Sequence, residues 1–231
     1  MDMGSMAMPV TWDFHDKVIV VHAVIACIAV LGTAPAAILL ARYMREDRRW
    51  FNYHRALNTA TVLLIVITFA LGTAAVYSQG QGRQFSGDQA DLHHDLGLGL
   101  FIVVCLQGIG GILAHATGKN SNSSGASKPS GGKTYARWAH ILAGIVLMGL
   151  LIAEAWIGFT EWNTMQSTGT FTPDAVRYIF LIIVAFEVGA YLYQASCATL
   201  LKTAGDDGRG PWARLDNESN EKAVLPALGN C

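Results

Sequence analysis

Long apolar runs alternate with short polar stretches along this chain. Five of the runs, over about residues 18–41, 53–77, 93–115, 136–160 and 177–201, reach the roughly twenty residues needed to cross a hydrocarbon core. Soluble helices alternate polar and apolar faces at helical period. Here apolar residues run round the whole circumference, as expected where lipid or other helices cover every side. The pattern predicts an all-α integral membrane protein, a bundle of five transmembrane helices, with little sequence left for a second folded domain. Residues 1–17 read as an extracytoplasmic segment, 18–201 as the membrane domain, and 202–231 as a disordered cytoplasmic tail. Within the domain, residues 117–135 read as a flexible cytoplasmic loop, being rich in Ser and Gly.

Charge refines this picture. Charged residues make up 14% of the chain, against roughly 25% in soluble domains, and they collect between the spans. Arg42, Arg45, Arg48, Arg49 and Arg55 lie between spans one and two, and Lys119, Lys128, Lys133 and Arg137 between spans three and four. Lys202, Arg209, Arg214 and Lys222 follow span five, while the other side holds Lys17, Arg83 and Arg177. The positive-inside rule therefore predicts an outer amino terminus and a cytoplasmic carboxyl terminus. Met1 to Lys17 has no basic start and no apolar core, so span one is expected to be its own insertion signal. Nothing in the composition points to nucleic acid.

Four histidines stand out against this apolar background. His22, His54, His93 and His140 each lie near the start of a different span, and an ionisable ring inside a bilayer is a functional candidate by default. Consecutive spans run antiparallel, so the starts of spans one and three share one membrane face and those of two and four the other. His22 can therefore meet His93, and His54 can meet His140. Each pair offers two imidazoles from facing helices, the axial set of a six-coordinate haem iron that carries electrons. Small residues follow three of these histidines at i+4, namely Ala26, Gly97 and Gly144. Such positions share the histidine's helix face and leave room for a flat macrocycle, although small residues also serve helix packing in membranes.

Taken in order, these residues resemble a known family. The run from His22 through Pro35 to Arg42, then Trp50 to His54, then His93-His94-Asp95-Leu96-Gly97 with Gln107 and Gly111, then Trp138-Ala139-His140 to Gly144, is similar to the cytochrome b561 domain. More narrowly, it is similar to the fungal branch often fused to or associated with DOMON domains. The resemblance covers about residues 18–160 and departs at Asn58, where members often carry Gln, and at Ala36, where they often carry Gly. It implies a transmembrane oxidoreductase, resembling an ascorbate-dependent ferric reductase, with four of the five helices forming a core around two haem b groups. His22 and His93 would hold the outer haem and His54 and His140 the inner one. Electrons would pass from a small anionic cytoplasmic donor such as ascorbate to a ferric chelate or an extracellular redox protein. A multi-pass location in the plasma membrane or an endomembrane, and homodimerisation, are further implications. No stretch reads as the β-sandwich of a DOMON domain.

The remaining candidates are weighed on their own chemistry. His94 is the alternative to His93, since neighbours on a helix point about a hundred degrees apart; the spacing to Gly97 favours His93. His15 and His115 read as interfacial polar residues. Glu154 and Glu187 lie inside spans four and five, where a carboxyl group marks a proton path or a hydrogen bond to a neighbouring helix. Glu154 falls fourteen residues after His140, about 21 Å along a helix, and so near the outer layer. Arg42 is the candidate donor-binding residue, set against the topological role that explains most basic residues in these loops. The four cysteines, Cys27, Cys105, Cys197 and Cys231, have no spacing that suggests a disulfide framework or zinc site. The rival class is a haem-free membrane protein, either a metal-ion transporter or a scaffold. A transporter is expected to gather acids and histidines along one path near mid-membrane, whereas these histidines fall in two layers.

Overall fold

Asp13 starts the first helix. Its side chain accepts from the Asp16 backbone at 2.8 Å, and Asp16 reaches back to the Asp13 N–H, closing a capping box. The cap sits five residues ahead of the expected span, and helix α1 (Phe14–Ile28) takes in His15, Asp16 and Lys17. In this computed structural model the residues described are 12–44, 47–79, 84–85, 91–120, 135–165 and 171–206. The helices after α1 are α2 (Ala34–Tyr43), α3 (Trp50–Ser78), α4 (Leu92–Asn120), α5 (Tyr135–Met165) and α6 (Asp174–Asp206). The expected tail begins later than the sequence suggests, since helix continues to Asp206; residues 207–231, like 1–11 and the loop residues 121–134, lie outside the described set. Among the described residues five helices are long and apolar enough to cross a membrane, α1 and α2 together counting as one span, Phe14–Tyr43.

A π-helical segment, Ala29–Thr33, joins α1 to α2. Pro35, just inside α2, has no N–H for the carbonyl four residues back, and its ring crowds that carbonyl. A π turn absorbs the conflict by adding one residue to the helical register. Thr33 in this turn meets Thr61 of α3 through their hydroxyls at 2.7 Å.

Packing links α1 to α3, α3 to α4, α4 to α5 and α5 back to α1, so the first four spans surround a common interior. Ala29, Val30, Ile65, Leu100, Val104, Leu147 and Leu151 fill its middle, and Phe69 stacks on Phe101 with ring centroids 4.3 Å apart. Helix α6 lies beside this group. Tyr43 donates to the Ala190 carbonyl at 2.7 Å, and Phe180 packs against Trp156 and Phe159 of α5. Ile182, Phe186 and Leu192 on α6 stay exposed, as expected of a lipid-facing surface.

Candidate functional site: two histidine layers

The antiparallel packing gathers the four histidines at opposite ends of the apolar middle. At one end the rings of His22 and His93 meet edge to face, with centroids 6.1 Å apart and planes at 79°. Two imidazoles sharing one metal ion, each at a bond of about 2.0 Å, hold their centroids roughly 6 Å apart, so this spacing fits a bis-histidine iron. His22 Nδ1 lies 2.8 Å from the Thr68 carbonyl of α3. With Nδ1–H committed there, the Nε2 lone pair is left for a metal. The His93 Nδ1 is 2.7 Å from Oε1 of Glu154 on α5, while Glu154 Oε2 is buried with no hydrogen-bond partner.

His54 and His140 mark the other end, within electrostatic reach of one another. His54 Nδ1 lies 2.8 Å from the Ala37 carbonyl of α2, which repeats the tautomer-fixing bond of His22. Asn58 donates to the His54 carbonyl at 2.7 Å and lies 3.3 Å from both ring nitrogens. Trp50 flanks the same ring, with centroids 6.2 Å apart. His140 is fixed through its backbone, since Gln107 donates to its carbonyl at 2.6 Å. Its Nδ1 is buried without a hydrogen-bond partner.

Glycine shapes both layers, though at other positions than the i+4 pattern suggests. A Cβ at Gly72 would stand 3.1 Å from the His22 ring, one at Gly158 3.2 Å from His93, and one at Gly111 2.9 Å from His140. Gly97 and Gly144, expected to leave room for a macrocycle, instead lie against protein: added Cβ atoms would meet Glu154 Oε1 at 3.0 Å and Gln107 Nε2 at 3.2 Å. The signal that finds Gly111 and Gly158 is an internal repeat. From His93, Gly97, Gln107 and Gly111 follow at 4, 14 and 18 positions; from His140, Gly144, Glu154 and Gly158 follow at the same spacings. Antiparallel packing sets each histidine over the far glycine of the other helix, and each Gln or Glu over the near one.

The remaining candidates sit as follows. His94 Nδ1 lies 3.1 Å from Asp91 Oδ2 on its own helix, whose other oxygen caps the His94 N–H at 2.8 Å. His15 Nδ1 meets the Ala75 carbonyl at 3.0 Å. The Arg42 guanidinium lies 5.8 Å over the ring of Tyr191, and its carbonyl accepts from Gln194 at 3.3 Å, contacts that join α2 to α6. The side chains of His115 and Arg137, and the loop residues Arg45 and Lys133, lie outside the described set. Among the described residues no group of three or more His, Cys, Asp or Glu side chains is arranged to hold a metal ion by itself. Compared with known proteins, the chain matches no family model, no curated protein and no solved structure.

Proposed function

We propose that this chain is a cytochrome b561-like electron carrier of the membrane, binding two haem b groups and passing electrons from one face to the other. The observation that carries the reading is the pair of imidazole layers at opposite ends of one apolar interior, with His22 and His93 at the spacing of a shared iron. His22 with His93 would hold one haem and His54 with His140 the other. Haem ligated by two imidazoles supplies a one-electron couple and leaves no open position for bond-making chemistry. The protein's part is to fix each ring. Thr68 and Ala37 hold tautomers through backbone carbonyls, the facing glycines admit the rings closely, and the buried aliphatic layer keeps water from the path between the sites.

The arginine-rich connection places the His54 end at the cytoplasm under the positive-inside rule. The donor is a small anionic reductant such as ascorbate, drawn by basic residues there; Arg42 is a weaker member of that set because Tyr191 already engages it. A ferric chelate or an extracellular redox protein is the acceptor, and the four-helix core sits in a plasma membrane or endomembrane, alone or as a homodimer.

The test is a reduced-minus-oxidised visible spectrum of detergent-purified protein, with haem quantified per chain, for wild type, His93→Ala and His94→Ala. Two low-spin b haems are expected in wild type, with one lost or turned high-spin in His93→Ala alone. A colourless preparation despite ample haem supply would sink the proposal in favour of a haem-free transporter or scaffold.

A further inference from the structure

The α4–α5 repeat is broken at one chemically important position. Where α4 carries Gln107, α5 carries Glu154, and the two side chains do different things. Gln107 donates to the backbone carbonyl of His140 and leaves that ring's Nδ1 without a hydrogen-bond partner. Glu154 instead brings a carboxyl oxygen to 2.7 Å from His93 Nδ1. Both side chains of this contact are largely buried, at 19% and 13% exposed, where electrostatic interactions are stronger than in water. Gly97 makes the contact possible, since a Cβ there would stand 3.0 Å from the same carboxyl oxygen.

Resting on the haem-carrier reading above, we propose that Glu154 is a positioning residue for His93 that lowers the reduction potential of the haem held by His22 and His93, and of that haem alone. A carboxyl group on the outer nitrogen of a metal-bound imidazole fixes the ring and raises its basicity. A more basic axial ligand favours ferric over ferrous iron, and hydrogen bonding to a ligand is one of the levers a protein has on haem potential. Among the described residues no carboxylate forms an ion pair with His140, whereas Glu154 does with His93, so the repeat delivers the effect to one site only. A Gln in place of Glu154 keeps the shape and an accepting oxygen but is far less basic.

The test is an optical redox titration of the full-length haem-loaded protein in detergent, comparing wild type, E154Q and G97A. In E154Q two haems per chain are expected. One midpoint potential should rise by a tenfold change or more in its reduction equilibrium, about 59 mV for a one-electron couple, while the other stays put. G97A, whose added Cβ 3.0 Å from the carboxyl oxygen presses it a few tenths of an ångström from its place, should move the same component in the same direction. Unchanged potentials in E154Q, or equal shifts at both haems, would overturn the assignment. If E154Q loses a haem, G97A decides, and unmoved potentials there overturn it. Wild-type protein without haem would instead overturn the carrier reading itself, so the two failures are told apart by the wild-type spectrum.

Discussion

His54 Nδ1 meets the carbonyl oxygen of Ala37 at 2.8 Å, fifteen residues beyond His22, whereas His22 Nδ1 meets the carbonyl of Thr68, fourteen beyond His54. The two bonds are counterparts across antiparallel helices, and the odd residue is the one that the π segment Ala29–Thr33 inserts. The turn thus brings the Ala37 carbonyl into register with His54.

Deleting Gly32 tests that role. An added Cβ at Gly32 has nothing within 4 Å, so the deletion removes no side-chain packing, but it turns α2 by about 100° relative to α1. The Ala37 carbonyl then leaves His54 while the bond between His22 and Thr68 stays. On the proposed haem ligation the expected outcome is a fall from two haems per chain to one, read by haem quantification, with the surviving spectral component that of His22 and His93. Two haems in the deletion variant would remove the π turn from the account.

Thr61→Val should be milder. It breaks the hydroxyl contact with Thr33 while keeping side-chain volume, and a hydrogen bond between membrane helices contributes on average about 0.6 kcal/mol. A small loss of thermal stability in detergent, with haem content unchanged, is expected. A loss of haem would mean that the Thr33–Thr61 contact holds the π turn in place.

Helix α6 is tied on by aromatic and polar contacts that avoid the histidine layers: Arg177 lies 5.5 Å over Trp156, and Tyr43 bonds the Ala190 carbonyl. Arg177→Ala should cost about 0.5–1 kcal/mol, the scale of an accessible cation–π contact, and leave the spectra of the two proposed haems unchanged. A spectral change would place α6 in the site.

The five spans are legible in the sequence because bilayer-crossing helices must be apolar over a fixed length. The four histidines are legible because each is a polar ring in an apolar run. Their grouping follows from antiparallel order alone, and the structure brings His22 to His93 with His94 turned to Asp91. Helix ends are less legible: the Asp13 cap and the carboxyl-terminal extension of α6 run through polar residues that hydropathy assigns to loops. The π turn is a register effect of Pro35 and of packing on α3, with no residue pattern of its own. Gly97 and Gly144 stand at the noted spacing from histidine, but their neighbours are Glu154 and Gln107, side chains placed by the partner helix and readable only from the repeat across α4 and α5.

That repeat makes Gly111 and its neighbour Gly110 a matched pair. Both lie within α4, where replacing Gly by Ala adds about 1 kcal/mol of helix propensity. At Gly110 a Cβ meets nothing within 4 Å, so Gly110→Ala should raise the melting temperature and leave the spectrum alone. At Gly111 the same methyl group would stand 2.9 Å from His140 Cε1 and 3.5 Å from its Nε2. That is closer than carbon atoms pack, so the ring must shift, and overpacking of this kind costs about 1–3 kcal/mol. The propensity gain should be cancelled or reversed and, on the proposed haem ligation, one haem weakened or lost, since a ligand displaced by a few tenths of an ångström would no longer meet the iron squarely. Thermal melts and haem-to-chain ratios of the two variants, measured side by side, check this. Equal behaviour of Gly110→Ala and Gly111→Ala would mean that His140 is not held against Gly111 in the working protein.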